Sequence, residues 1–408
     1  MPKTEDYLNN NKVSGYIGFD PTSDSLHIGS LVQIMTLVHF QRHGHKPYVL
    51  LGGATGMVGD PSGKSKERNL LDTKELDKNI SSIKKQLSRF LKFDSSENEA
   101  VIVNNKDWFE NFNFLDFIRD VGKHITVNYM MSKDSVKKRL ETGISFTEFT
   151  YQLVQGYDFY WLYKNHNCLV QLGGSDQWGN IVTGTELIRR MDGGSAYAIT
   201  TPLVQKADGT KFGKTESGNI WLDPVKTSPY KFYQYWINSS DIDAENYIKI
   251  FTLHDKNKIE DLIAQHKENP GLRLLQNELG KYITSMIHGE EQYLMAKEAS
   301  SILFMKGDEA VSALKSLSTD LFLDIFEGVP KTEISKEEIF NGIPIIDALV
   351  EKSGFLKSNG EARRAINENS ISLNKSKVKL DTIINTKDLI DGKYLLLQRG
   401  KKNYFVIL

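Results

Sequence analysis

The chain has 408 residues, more than the roughly 250–300 that one hydrophobic core serves, so two or three domains are expected. Apolar residues make up 39% and charged residues 25%, with a formal net charge of −1; no uncharged apolar run approaches the roughly 18 residues of a membrane span, which argues against a membrane partner. Cys168 is the only cysteine, which excludes an intrachain disulfide and a cysteine-rich metal cluster.

The start, MPKTEDYLNNNK, lacks the apolar segment of a secretory signal and carries acids that transit peptides avoid, so a cytoplasmic location is expected. Residues 15–30 read GYIGFDPTSDSLHIGS. Residues 16–19 alternate as a buried strand does, Pro21 and Asp24 punctuate a turn, and residues 30–43 have the apolar spacing of a helix. A strand feeding a helix through a polar loop aims backbone N–H groups at that loop, where phosphate oxygens are best stabilised. Gly29 permits close approach of a ligand to the backbone, and Thr22 and His27 supply donors beside it. An isolated His-x-Gly is also what an ordinary strand-to-helix turn shows.

Strand and helix signals then alternate to about residue 225: strands at 47–51, 100–103, 168–172 and 196–204, helices at 73–92 and 146–164. This rhythm predicts a mostly parallel sheet with helices on both faces, binding ligand at the carboxyl ends of its strands. Two glycine-rich loops stand where that rule requires, GGATGMVGDPSGKSKER after Leu51 and GGSDQWGN after Leu172. Gly63-Lys64-Ser65 imitates the end of a phosphate-binding P-loop, but Val58 stands where that motif needs glycine. What remains there is Asp60 with Lys64 and Arg68 at i and i+4, either a phosphate clamp or a solvated loop. In the helix at 146–164, Tyr151, Gln155 and Asp158 share one face of an otherwise apolar element. They either satisfy one another or line a pocket for a small polar ligand with an aromatic body.

Residues 107–131 (DWFENFNFLDFIRDVGKHITVNYMM) hold more aromatic and aliphatic side chains than one helix face buries, which reads as an interface between copies or as a segment folded onto its own core. Lys211-Phe212-Gly213-Lys214-Thr215 brackets a glycine with two lysines on a loop. From 228 to about 326 only helical patterns follow, then a polar proline-containing stretch reads as a linker. Residues 341–408 carry 9 Lys and 3 Arg against 7 acids. That surplus suggests a polyanionic partner, reached through Arg363 and Arg364 on a helix opening at Ser358, or a merely solvated surface.

Taken in order, PTSDSLHIGS, YQLVQGYD, GGSDQWGN, KFGKT and SNGEARRAI resemble the motifs of the bacterial-type tyrosyl-tRNA synthetases of class I, over nearly the whole chain. The resemblance implies an α/β fold: a Rossmann-like parallel-sheet nucleotide-binding domain over 1–225 with a dimerisation insertion near 105–145. An α-helical domain over 226–327, a linker over 328–340 and a small α+β S4-like RNA-binding domain over 341–408 follow.

It also implies roles. Tyr16 and Asp158 would hold the phenolic hydroxyl of L-tyrosine, Asp60, Tyr151 and Gln155 its ammonium, and Gln177 its carboxylate. Gly18, Asp20, Gly29, Gly174 and Asp176 would meet ATP or the adenylate, and Thr22, His27, Ser30, Lys64, Arg68, Lys211, Lys214 and Thr215 the reacting phosphates. Ser30 departs from the family, which usually carries a second histidine there. Mg²⁺ held mainly by the nucleotide is the implied cofactor, and tRNA(Tyr) and a second copy of the chain are the implied partners. Two rivals are the tryptophan enzyme, whose pocket must receive an indole N–H instead, and a catalytically inactive RNA-binding descendant.

Overall fold

The computed structural model describes residues 4–62, 71–94, 97–140, 143–215, 218–302, 305, 307–400 and 403–408. Among these the chain divides into two compact units. The first comprises residues 1–226 with 240–263, the second 227–239 with 264–408.

The first unit is built on five parallel strands, β1 (Ser14–Phe19), β2 (Lys46–Leu51), β3 (Val101–Asn104), β4 (Cys168–Gly174) and β5 (Tyr197–Thr201), in the order β3-β2-β1-β4-β5. Strand β2 (KPYVLL) is buried from Pro47 onward, as a strand covered on both faces must be. The chain winds outward from β1 to β3, returns, and continues from β4 on the other side, so the winding reverses between β1 and β4. Four longer helices connect or cover the strands: α1 (Leu31–Arg42), α2 (Thr73–Leu87), α3 (Phe146–His166) and α4 (Trp178–Asp192).

Helix α3 is bounded by local chemistry. Ser145 accepts from the Glu148 N–H at its start, and Asn167 takes a left-handed conformation (φ 48°) at its end. It crosses α4 closely because glycine stands on both sides of the contact. A Cβ on Gly184 would lie 2.7 Å from the Cβ of Phe159, and one on Gly156 would lie 3.1 Å from Thr183 and Leu187.

In residues 106–131 three short helices replace a single long one, at Lys106–Phe109, Phe114–Asp120 and Val127–Met131. Val121, Ile125 and Met130 are buried with Leu153 and Leu187, whereas Phe114, Leu115, Ile118 and Val127 are exposed.

The second unit contains helices Pro229–Ile237, Leu274–His288, Glu290–Ile302 and Thr319–Ile325 and a second sheet. Counting on from the hairpin β6 (Lys214–Thr215) and β7 (Gly218–Asn219) of the first unit, its strands are β8 (Lys331–Thr332), β9 (Ile371–Leu373), β10 (Ser376–Lys377), β11 (Leu395–Arg399) and β12 (Asn403–Ile407), in the order β10-β9-β11-β12-β8.

Two divisions differ from those expected. The stretch 328–340 is not a linker: β8 pairs parallel with β12, Ser335 caps the helix Lys336–Asn341, and Ile334 and Ile339 enter a buried cluster. Its polar composition masks two isoleucines placed to be buried. Helix Asp241–Phe251, expected in the helical domain, packs within the first unit.

Candidate active site

A cavity of about 570 Å³ opens at the carboxyl ends of β1 and β4, where the winding reverses and an open α/β sheet leaves a crevice. Fourteen of the residues singled out in the sequence line it. Strand β1 and the turn after it contribute Tyr16, Gly18, Asp20, Thr22, His27, Gly29 and Ser30; the loop after β2, Asp60; helix α3, Tyr151, Gln155 and Asp158; the end of β4, Gly174, Asp176 and Gln177. Lys64 and Arg68 lie outside the described residues, as does the side chain of Thr215. Lys211, on the loop that leads into β6, and Lys214, the first residue of β6, are exposed and do not stand among the cavity-lining residues. Arg363 and Arg364 are exposed on the helix Asn359–Asn367 of the second unit.

The inner end is closed by Asp158 and Tyr16, each 1% exposed. Asp158 accepts from Trp108 Nε1 at 2.9 Å and from Asn105 Nδ2 at 3.1 Å. Asn105, fully buried, is held in turn by the Ala54 N–H, which donates to its Oδ1 at 2.6 Å. Burial pushes the Asp158 carboxyl well above the usual carboxylate range, against the two hydrogen bonds that favour its ionised form. The Tyr16 hydroxyl is buried and has no hydrogen-bond partner among the described residues. Burial, and then the neighbouring Asp158, raise its pKa well above that of an ordinary phenol, so it stands as a neutral donor and acceptor. Gln155 Oε1 and Gln171 Oε1, on the same cavity, also lack partners among the described residues. Buried polar atoms are ordinarily satisfied, so this cluster is shaped for a polar group supplied from outside the chain.

At mid-cavity, the helix-face triad does not satisfy itself, which answers one of the alternatives left open by the spacing. Tyr151 donates to Asp20 Oδ2 at 2.8 Å, and Thr55 Oγ1 donates to Asp20 Oδ1 at 2.7 Å. Asp60, 6% exposed, accepts from Gln177 Nε2 at 2.8 Å and from the Ser62 N–H at 2.9 Å. Asn180 Nδ2 reaches Asp60 at 3.4 Å and Gln177 Oε1 at 3.1 Å, and so braces both. Two carboxylates, Asp20 and Asp60, lining one crevice suit a cationic group such as an ammonium.

The outer end is formed by the HIGS turn, a short 3₁₀ segment from Ile28 to Ser30 leading into α1. The Gly29 N–H donates to His27 Nδ1 at 3.0 Å. Any side chain at Gly29 would meet the imidazole, since a Cβ there would lie 2.7 Å from it. His27 pairs with Trp221 as an isolated bridge, their rings edge to face at 6.0 Å.

Asn105, Trp108, Thr55 and Asn180 escaped the sequence reading. Each acts through another side chain, Thr55 on Asp20, Asn105 and Trp108 on Asp158, and Asn180 on Asp60 and Gln177.

A family model for class I tRNA synthetases of the tryptophan and tyrosine kind matches residues 8–305, and one for the C-terminal domain of tyrosine–tRNA ligases matches 322–407. The chain is 61% identical over 413 residues to the tyrosine–tRNA ligase of Flavobacterium psychrophilum, covering 100% of this chain and 95% of the relative. It is 59% identical to that of Bacteroides fragilis over 414 residues, with 100% and 96% covered. A C-terminally truncated mitochondrial tyrosyl-tRNA synthetase of Aspergillus nidulans superposes with a TM-score of 0.64 at 30% identity, covering 72% of this chain and 86% of that one. The crevice at the β1–β4 reversal, its buried polar floor and the likeness of the whole chain to curated tyrosine–tRNA ligases agree, and the chain belongs to the tyrosine branch of the class I tRNA synthetases.

Proposed function

We propose that this chain is a tyrosine–tRNA ligase that activates L-tyrosine with ATP to tyrosyl-adenylate and pyrophosphate, then transfers the tyrosyl group to the terminal ribose of tRNA(Tyr). The observation that carries the reading is the inner end of the cavity. There the partnerless Tyr16 hydroxyl and the Asp158 carboxyl face one space, and a phenolic O–H completes both. An indole N–H offers no acceptor to Tyr16 and fills a different outline, which disfavours the tryptophan rival.

Outward from that floor, Asp60, Tyr151 and Gln155 surround the substrate ammonium, and Gln177, fixed by Asp60 and Asn180, orients its carboxylate. That carboxylate, already ionised at neutral pH, attacks the α-phosphorus of ATP. Pyrophosphate leaves with the electron pair of the broken P–O bond and needs no proton, so the site requires no general base for this step. What it supplies is in-line placement and stabilisation of charge on the five-coordinate phosphorus. Gly18, Asp20, Gly29, Gly174 and Asp176 receive the nucleotide, the Asp176 carboxylate accepting from a ribose hydroxyl. Thr22, His27, Ser30, Lys64, Arg68, Lys211, Lys214 and Thr215 face the phosphates. Ser30 donates one hydrogen bond where the family's histidine usually stands.

Among the described residues no three His, Cys, Asp or Glu side chains gather as a metal site, so Mg²⁺ fits here as an ion carried by the ATP phosphates, shielding their charge. In the second unit, Arg363 and Arg364 offer cations to the tRNA backbone. The protein acts as a homodimer in the cytoplasm. Among the described residues no helix is long and apolar enough to cross a membrane.

The test is ATP–pyrophosphate exchange with each of the twenty amino acids. Exchange dependent on tyrosine alone is expected; exchange with tryptophan instead, or none, contradicts the reading. RNA binding without exchange would establish the inactive alternative, which no feature of the cavity favours.

A further inference from the structure

Helix Asp241–Phe251 sits in the sequence among helices of the second unit but packs in the first, and one of its neighbours there is the lysine loop. Phe212 follows Lys211 directly and is only 6% exposed, although both lysines of the loop are exposed. Its ring stacks on Phe251 at 5.2 Å with 13° between the planes, and meets Tyr247 edge-on at 5.0 Å. The two helix aromatics themselves lie 5.8 Å apart, so they form a slot that the loop's one large apolar side chain fills.

The same helix holds the arm leading into the loop, because the Ala207 N–H donates to Asp243 Oδ1 at 2.8 Å. On its other side the loop is tied to the HIGS turn. The Ile220 N–H donates to the Gly213 carbonyl at 3.2 Å, and the Ile28 N–H to the Ile220 carbonyl at 2.9 Å. Gly213, at φ +82°, lies against that turn, where a Cβ would stand 3.2 Å from Ile28.

We propose that Phe212 is a positioning residue for adenylate formation and that the slot of Tyr247 and Phe251 is its seat. This rests on the reading of Lys211 and Lys214 as phosphate-facing groups. A lysine is a flexible point charge, and what the chain controls is the place of its Cα. With the ring between the two lysines seated against a helix of the same compact unit as the HIGS turn, the seat sets where both lysine backbones stand relative to the phosphate end of the cavity. From that place their side chains reach the pyrophosphate. The interaction acts on charge that develops as the reaction proceeds, so its loss falls on kcat and spares the tyrosine pocket.

The experiment compares Phe212→Ala, Phe212→Leu, Phe251→Leu, Lys214→Ala and the double variant Phe212→Ala/Lys214→Ala in the full-length chain. The readouts are tyrosine-dependent ATP–pyrophosphate exchange, the equilibrium Kd for tyrosine, and the thermal midpoint. Phe212→Ala is expected to lower kcat by about 10²-fold, the scale of an ångström-sized misplacement, with the tyrosine Kd unchanged. Phe212→Leu should restore most of the loss, and Phe251→Leu, which keeps the slot apolar, should lower kcat in smaller measure. The double variant should lose less than the two single losses multiplied together, because the seat acts in part through Lys214.

A kcat for Phe212→Ala within twofold of the parent, while Lys214→Ala is impaired, overturns the seat and leaves the lysine reading standing. Additive losses in the double variant also overturn the seat. Unimpaired exchange in Lys214→Ala removes the lysine reading and the seat with it. Should Phe212→Ala lose tyrosine binding through misfolding, the kcat of Phe251→Leu decides: a value equal to the parent's overturns the proposal.

Discussion

Asp158 is 1% exposed, with two neutral donors, Trp108 and Asn105, on its oxygens. Burial raises its pKa well above the usual carboxylate range, so the folded chain holds this proton more tightly than the unfolded chain does. Between the ordinary carboxylate range and that raised value, the native state therefore binds more protons, and stability rises as pH falls through the window. Above the window the buried charge lowers stability. Asp158→Asn carries no titrating group, so the thermal midpoint of the parent relative to this variant is expected to climb as pH is lowered from neutral toward the ordinary carboxylate range. A difference independent of pH would contradict the buried-charge account. At this scale the sequence singled out fourteen residues that line the cavity, because polar side chains beside glycine turns or on one face of an apolar helix leave a local pattern. It was silent on Asn105, Trp108 and Asn180. Their effect passes through Asp158, Asp60 and Gln177, and no local pattern encodes which distant carboxylate an amide or indole will reach.

The sheet strands and α3 were legible because a strand covered on both faces needs an unbroken apolar run and a packed helix needs period 3.6. The strand after Ala196 ends at Thr201 rather than at 204, since Pro202 has no N–H to give to a ladder. Helix Asp241–Phe251 was visible as a helix but not as part of the first unit, because periodicity says that a face is buried and not against what. The α3–α4 crossing shows how an element sets the site. Phe159 is fully buried beside Asp158, and Gly184 leaves the space its ring occupies. Gly184→Ala puts a Cβ 2.7 Å from the Cβ of Phe159, which forces the helices apart and is expected to destabilise by about 1–3 kcal/mol while raising KM for tyrosine. Urea denaturation and exchange kinetics on that variant check both effects. An unchanged denaturation midpoint would show that the crossing has slack.

Across the whole molecule, the apolar surplus of residues 107–131 divides: part is buried within the first unit, while Phe114 remains 63% and Leu115 71% exposed. Surface of that kind suits a contact with a second copy of the chain. Light scattering of the full chain at micromolar concentration is expected to give twice the chain mass, and Leu115→Asp to give the chain mass; a monomeric parent would refute the dimer. The likenesses extend over all of this chain and 95% or more of the curated relatives cited, so the central question is which amino acid the enzyme selects. The most direct measurement is the ratio of kcat/KM for tyrosine to that for phenylalanine in the parent, Asp158→Asn and Tyr16→Phe. Phenylalanine leaves the buried groups of Tyr16 and Asp158 unpaired, a penalty of about 1–3 kcal/mol for each neutral group and more for a charged one. Both substitutions are expected to lower the ratio, Asp158→Asn the further because it replaces a carboxyl oxygen that faces the phenol by an amide, whereas Tyr16→Phe removes one hydroxyl and leaves Asp158 in place. A ratio that stays at the parent's value in Asp158→Asn would contradict the assignment of this cavity to the phenol of tyrosine.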